Sequence, residues 1–219
     1  MTTAILIPAR LNSTRFPNKM FAKLQGKTLI EHVYEKCKNT KYDTYVLTED
    51  REIKNLIPNS ILTPKCSNGT ERCMRVIDAD LRYDRYINVQ GDMPDISPRI
   101  IESVEKSLEH HDISTAYTPM SRSRRQDPNS VKLIHSGGYA HWFCRASLNY
   151  GDHHIGVYGY TKESKVIYEN SIKYKEEELE QLEQLRWIQN NVKIGVTCVE
   201  FDGIEINTAL DLELWQQKN

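Results

Sequence analysis

The chain reads as an α/β protein with a mostly parallel central sheet flanked by helices, and three observations predict this. The run Ala4-Ile5-Leu6-Ile7-Pro8 is continuously apolar, the texture of a strand buried on both faces. Strand-like and helix-like segments then alternate as far as about residue 110. The length of 219 residues suits one well-buried domain and is too short for two full ones.

Each element follows from its local pattern. Pro8 ends the first strand because it has no amide hydrogen to donate. Thr28 can cap a helix whose apolar positions Leu29, Ile30, Val33, Tyr34 and Cys37 recur at helical spacing. Residues 44–48 read as a strand, 53–57 as a short helical region and 60–63 as a brief strand. The spacing of Cys73, Val76, Ile77 and Leu81 predicts a helix over 70–81. A strand over 86–89 runs into Gln90-Gly91-Asp92, and Pro98 opens a helix whose buried stripe is Ile100, Ile101, Val104 and Leu108. Right-handed crossovers are the default.

The texture changes after about residue 110. Residues 114–117, 130–134 and 139–144 are strand candidates, the last two separated by the turn signal Ser136-Gly137-Gly138. A small β-rich excursion, with a dimerisation or acceptor role, is therefore expected at about 113–153. The sheet pattern resumes over 155–158, followed by a helix after Thr161 and an acidic helix over 176–189. A strand over 192–199 and a helix over 210–215 close the chain. Nothing resembles a linker or an internal repeat, so residues 1–219 are expected to form a single domain.

Composition excludes several classes. With 29 basic and 30 acidic side chains and a net charge of -1, no general polyanion-binding surface is expected, and no nucleic-acid partner. The five cysteines are scattered and form no CxxC pair, which argues against a zinc knuckle or a disulfide framework. The start Met1-Thr2-Thr3 leads directly into the apolar run, leaving no room for a signal peptide. No stretch approaches the length of a membrane span, so a cytoplasmic location without membrane attachment is expected.

In a wound sheet, ligands gather beyond the C-terminal ends of the strands. Residues 8–19 lie at such an end and supply Arg10, Arg15 and Lys19, the hydroxyls of Ser13 and Thr14, and backbone N–H groups. Three tethered cations suit a triphosphate accompanied by a metal ion, although surface loops often contain Arg and Lys. The segment is neither a Walker A loop nor a GxGxxG fingerprint. Asp92, just past a buried strand, is placed either to ligate Mg²⁺ or to bond its own turn, and Gly91 permits close approach.

Taken together, a set of ordered pieces resembles the acidic-sugar cytidylyltransferases, in particular the 3-deoxy-manno-octulosonate (Kdo) cytidylyltransferases, or CMP-Kdo synthetases. The pieces are Ile7-Pro8-Ala9-Arg10 through Lys19, Asn68-Gly69-Thr70-Glu71-Arg72, Asn88-Val89-Gln90-Gly91-Asp92 and Asp127-Pro128-Asn129-Ser130-Val131-Lys132. They continue with His154-Ile155-Gly156-Val157-Tyr158-Gly159-Tyr160, Leu182-Glu183-Gln184-Leu185-Arg186, Asn207-Thr208 and Asp211-Leu212-Glu213. The resemblance implies a nucleotide-diphospho-sugar transferase-like fold, usually a homodimer, that joins CTP and Kdo into CMP-Kdo and pyrophosphate with Mg²⁺ as cofactor, a step of lipopolysaccharide biosynthesis. It implies that Arg10, Ser13, Arg15 and Lys19 hold the phosphates, with Gly69, Thr70, Arg72 and Gln90 also near the nucleotide. It assigns catalysis to Arg10, Arg15, Lys19 and Asp92, the metal to Asp92 and Asn207, and the sugar to Arg145, His154, Glu180 and Gln184. By composition alone, Arg145 reads as an ordinary strand-end arginine, His154 as a loop residue, and Glu180 and Gln184 as members of a solvated helical face.

Three departures from the family pattern bear on function. Asn207 stands where the family has a second metal-ligating aspartate, and an amide oxygen brings no charge; Glu205, two positions away, could compensate. Met93 replaces an acidic residue, and the stretch between Arg145 and His154 is short. The alternatives are therefore a cytidylyltransferase for another acidic sugar, such as 8-amino-Kdo or a sialic-acid-like sugar, and a catalytically weak or inactive CTP-binding homologue. The cluster Arg122, Arg124 and Arg125 has no counterpart and reads as an exposed basic loop or part of a dimer surface.

Overall fold

All six residues of the first strand, β1 (Thr3–Pro8), are buried, as a continuously apolar run requires. The computed structural model describes residues 1–219 apart from Thr14, Asp78 and Asp80. The chain gathers into two units, Met1–Ile101 with Asp202–Asn219, and Glu102–Phe201.

In the first unit, a 3₁₀ turn at Lys19–Phe21 and a small hairpin of β2 (Lys23–Leu24) and β3 (Lys27–Thr28) follow β1. Helix α1 (Leu29–Lys38) buries Leu29, Ile30, Val33, Tyr34 and Cys37, the five positions its spacing selects. It starts at Leu29 because Thr28 and Glu31 form a reciprocal capping box. The alternation continues through β4 (Asp43–Thr48), α2 (Arg51–Leu56), β5 (Ser60–Leu62), α3 (Gly69–Val76) and β6 (Arg85–Val89). Strands β5, β4, β1 and β6 lie side by side in that order, and their pairs are parallel. Their C-terminal ends therefore face the same way. The helix expected over 70–81 stops at Val76, because Ile77 is extended and pairs with Leu81 in an isolated bridge.

Helix α4 (Pro98–Ser107) carries the chain into the second unit. There follow β7 (Ile113–Thr118), α5 (Arg122–Gln126), β8 (Lys132–Ser136), β9 (Tyr139–Cys144) and β10 (Asp152–Thr161). Next come α6 (Ser164–Asn170), α7 (Lys175–Glu180), α8 (Leu185–Gln189) and β11 (Ile194–Cys198), before α9 (Ala209–Lys218) ends the chain in the first unit. The hairpin turn between β8 and β9 puts Gly137 at φ 58° and Gly138 at φ 83°, a pair of left-handed positions that glycine adopts without a Cβ clash.

This second unit overturns the expected fold class. Residues 113–153 are not a small excursion from a mostly parallel sheet. Strands β10, β7, β11, β9 and β8 pair in that order, and β8 pairs back onto β10, closing a five-stranded barrel. Its pairs are antiparallel except β7 with β11. Closure is possible because β10 serves two partners at its start. His153 stands opposite Thr118 on one side and Lys132 on the other. A register shift between Ile155 and Tyr158 then bends the strand.

The acidic helix expected over 176–189 is likewise two short helices, broken at Gln181 with φ 54°. Glu177 explains the break: its carboxylate accepts two hydrogen bonds from Arg186, at 2.8 and 2.7 Å. Nine residues of unbroken helix would hold those positions about 13 Å apart along the axis. Among the described residues, no helix is long and apolar enough to cross a membrane.

Candidate active site

The loop after β1 is organised around Leu11. Its amide donates to Asp50 Oδ2 at 2.8 Å, and its carbonyl accepts from Ser13 and Asn18. Asn18 takes a left-handed conformation, φ 54°, and turns the chain into the 3₁₀ segment that carries Lys19. Arg10 and Arg15 project into solvent, Ser13 is half-buried and Lys19 is buried. Thr14 lies outside the described residues.

Three distant pieces of sequence meet at this strand edge. A Cβ on Gly69 would lie 3.2 Å from Pro8 Cγ and 3.5 Å from Gln90 Oε1, so this glycine packs directly on the end of β1 beside Gln90. A Cβ on Gly91 would meet Met20 Sδ at 3.1 Å and the Pro8 carbonyl at 3.3 Å, which explains the glycine before Asp92. Thr70 is buried in the first turn of α3, where Asn68 caps the helix by accepting from the Glu71 amide. Arg72 is also buried. It donates to Thr63 Oγ1 and forms an ion pair with Glu49 at 2.6 Å. Burial pushes the Glu49 carboxyl up, but the hydrogen bond and charge of Arg72, with help from Cys66 and Arg10, hold it below its ordinary range.

Asp92 and Asn207 are brought together by the backbone, since the Ile206 amide donates to the Asp92 carbonyl at 2.9 Å. Each side chain faces a cation of the loop. Lys19 Nζ lies 2.7 Å from Asp92 Oδ2, and Arg15 Nη2 lies 3.5 Å from Asn207 Oδ1. Asp211 fixes the segment by accepting from the amides of Asn207 and Thr208, at 3.0 and 2.7 Å. Asp95 fixes it from the other side, accepting from the Ile204 amide and from Trp215 Nε1. Among the described residues, no group of three His, Cys, Asp or Glu side chains could hold a metal alone. The donor types, one carboxylate and one amide oxygen on neighbouring stretches of backbone, nevertheless fit Mg²⁺, which commonly takes one or two carboxylates and completes its shell with water and substrate phosphate.

The remaining candidates lie in the second unit. Arg145 donates from its amide to Glu180 Oε2 at 2.8 Å and from Nε to the Glu180 carbonyl at 3.1 Å. The carbonyl of Arg145 accepts from Lys132 Nζ, which also reaches the carbonyls of Asp127 and Ser130, each at 2.8 Å. His154 is a buried strand residue and not a loop residue. Its Nε2 lies 3.0 Å from Thr115 Oγ1, and its ring packs edge-on against Phe143. Burial, reinforced by the charges of His153 and Arg145, pushes it down to about 3, so it is neutral at ordinary pH. Gln184 is buried at the start of α8. The basic cluster lies on the short helix α5 rather than in a loop, with Arg122 and Arg124 exposed as expected; Arg124 bonds His153 Nδ1 at 3.1 Å and Arg125 bonds the Gly151 carbonyl at 2.9 Å.

Sequence reasoning missed Glu49, Asp50, Asp95 and Lys132. The adjacent pair Glu49-Asp50 directly after an apolar strand was a usable signal, because it sits at the same kind of strand end as Arg10 and Asp92. Lys132 carried none, since burial of a lysine is set by distant carbonyls.

Cations gathered beside a carboxylate at the C-terminal ends of parallel strands suit a polyphosphate ligand. The chain belongs to the cytidylyltransferase family, whose model matches residues 4–194, and it is accordingly an enzyme that transfers a cytidylyl group. It is 35% identical, over 241 aligned positions covering 100% of this chain and 98% of the relative, to an 8-amino-3,8-dideoxy-manno-octulosonate cytidylyltransferase of Shewanella sp. (strain ANA-3). The enzyme of the same description from Shewanella pealeana is 35% identical over 243 positions, again with 100% and 98% covered. A solved structure of CMP:2-keto-3-deoxy-manno-octonic acid synthetase complexed with CTP superposes with a TM-score of 0.93 at 27% identity, covering 100% of this chain and 98% of that one. The 4-diphosphocytidyl-2C-methyl-D-erythritol synthase of Anaerococcus prevotii, at 14% identity and a TM-score of 0.67, shares the fold.

Proposed function

We propose that this enzyme moves CMP from CTP onto an eight-carbon acidic sugar, with 8-amino-3,8-dideoxy-manno-octulosonate as acceptor and pyrophosphate as the second product. The acceptor reading is supported by the two Shewanella enzymes, similar over the full length at 35% identity. The unsubstituted sugar Kdo, placed first by the sequence motifs, becomes the second reading, favoured by the 27% identical synthetase. The observation that carries the nucleotide half is the Lys19–Asp92 contact set beside Arg10, Arg15 and Asn207.

In the proposed reaction, the anomeric hydroxyl attacks the α-phosphorus in line and pyrophosphate leaves. Arg10, Arg15 and Lys19 offset the charge that develops on the leaving group, and the Ser13 hydroxyl and loop amides orient the phosphates. Gly69, Thr70 and Gln90 border the nucleoside, and Arg72, locked between Glu49 and Thr63, stiffens that wall. Asp92 and Asn207 would hold Mg²⁺, which when bound polarises phosphorus and lowers the pKa of the attacking hydroxyl. Arg145 would pair with the sugar carboxylate, while Glu180 and Gln184 meet hydroxyls. His154, held neutral, shapes the pocket wall and moves no proton. The working form is proposed as a cytoplasmic homodimer in which residues 1–219 act as one catalytic domain, a state that sedimentation equilibrium tests.

The deciding experiment is a pyrophosphate-release assay with Mg²⁺, each of the four common nucleoside triphosphates, and a panel of Kdo, 8-amino-Kdo and N-acetylneuraminate, followed by product identification. Strict CTP dependence with a preference for 8-amino-Kdo is expected. Preference for Kdo selects the second reading. CTP binding without release on any acidic sugar marks a binding homologue instead.

A further inference from the structure

We propose that the site is latched: Lys19 on Asp92 and Arg15 on Asn207 hold the two proposed metal-ligand side chains until a triphosphate draws both cations away. The proposal rests on the reading of Asp92 and Asn207 given above and concerns the order in which their partners change.

Lys19 Nζ sits 2.7 Å from Asp92 Oδ2, with the two side chains 11% and 21% exposed. Among the described residues, Asp92 is the hydrogen-bond acceptor of this ammonium. A divalent ion approaching the other carboxylate oxygen would meet a fixed positive charge a few ångströms away, so the carboxylate is occupied in charge as well as in space. The lysine is not a wandering surface group. Its amide donates to the Phe16 carbonyl at 3.2 Å and its carbonyl accepts from Ala22 at 3.0 Å, and the loop before it is tied to Asp50 through Leu11. Arg15, from the same loop, lies 3.5 Å from Asn207 Oδ1 in the longer and more exposed contact.

The two contacts are coupled. The Ile206 amide bonds the Asp92 carbonyl, which ties the segment carrying Asn207 to Asp92, while Arg15 and Lys19 share one loop. Phosphate oxygens carry more charge than one carboxylate and accept from both cations at once. Their arrival exchanges ammonium–carboxylate and guanidinium–amide contacts for cation–phosphate contacts, and frees two protein oxygens together. The metal site is then created by the nucleotide, and by linkage each partner raises the affinity of the other.

The test uses Mn²⁺ as a paramagnetic probe, titrated onto the full chain without nucleotide and followed by loss of the free-ion signal. Weak binding is expected for the wild type, and binding roughly tenfold tighter or more for Lys19→Met, because a repelling charge is removed. The double variant Lys19→Met/Asp92→Asn is expected to return to the wild-type level. Lys19→Gln, which keeps a donor without the charge, provides a second variant with the same expected direction, and thermal unfolding checks that both fold. Mn²⁺ affinity unchanged in the folded Lys19 variants, or a gain that persists in the double variant, overturns the latch. Equilibrium dialysis of CTP against the wild type with Mg²⁺ present separates this from the functional reading: failure to bind CTP rejects the nucleotide site itself.

Discussion

Asp92 faces Lys19 and is proposed to hold Mg²⁺, and its substitution separates stability from chemistry. Asp92→Asn keeps the shape of the side chain but removes the charge that Lys19 faces at 2.7 Å. The variant is expected to fold with about 1–2 kcal/mol less stability, while turnover falls on the order of a hundredfold or more. Pyrophosphate release and thermal melting read the two effects, and an unaltered rate with the same Mg²⁺ dependence would remove Asp92 from the metal role. His154 makes a different residue-scale prediction. Its folded pKa of about 3 lies below the ordinary histidine value of 6.5. Between those values the unfolded chain holds a proton that the folded chain does not, so stability is fully present above pH 6.5 and falls as the pH drops towards 3. The loss is at most a few kcal/mol over the whole window. Urea midpoints at pH 7 and pH 5 should show it, and His154→Gln should flatten the dependence; a slope unchanged in the variant assigns the effect to His153, which burial and Arg124 push down to about 4. The cations Arg10, Arg15 and Lys19 were legible from residue type and position alone. The Lys19–Asp92 contact was not, because it joins positions 73 residues apart.

At the scale of elements, capping decides where helices begin and also where Asn207 stands. Asp211 accepts from the Thr208 hydroxyl and amide and from the Asn207 amide, so one carboxylate caps α9 and holds the proposed metal-binding segment. Asp211→Ala should cost about 1–2 kcal/mol and should also raise the Mg²⁺ concentration needed for half-maximal rate, because the Asn207 backbone is loosened. Denaturant unfolding and a Mg²⁺ titration of the rate check these together; a stability loss with no change in Mg²⁺ dependence would confine Asp211 to the cap. The start of α1 was readable because Thr28 and Glu31 are three residues apart. The interruption between α7 and α8 was not readable, since the acidic run has no Gly or Pro. It is imposed by the Glu177–Arg186 pair and a left-handed Gln181.

The whole molecule depends on how the second unit closes. The barrel seam between β9 and β11 has the registered pair Gly195 with Tyr139, and the His111 ring packs edge-on against Tyr139 at a centroid distance of 5.1 Å. A Cβ at Gly195 would fall 2.1 Å from His111 Cδ2. Gly195→Ala should therefore lower stability by about 1–3 kcal/mol through overpacking, and His111→Ala should restore much of the loss in the double variant. A double-mutant cycle of unfolding free energies measures this, and simple additivity of the two losses would show that the seam does not depend on that contact.

The sequence by itself determined the kind of most of the longer elements, because hydrophobic period, caps and turn residues act within a few positions. It also determined that the cationic loop and Asp92 stand at the ends of buried strands, because that placing depends on residue type beside an apolar run. Tertiary structure alone decided which strands pair. Residues 130–144 have the same alternation whether they form an outlying hairpin or two staves of a barrel, and only the double pairing of His153 with Thr118 and Lys132 selects closure. It alone decided the burial of His154 and the contacts of Asn207 as well, since burial and long-range ion contacts arise from chain segments that meet only after the fold has formed.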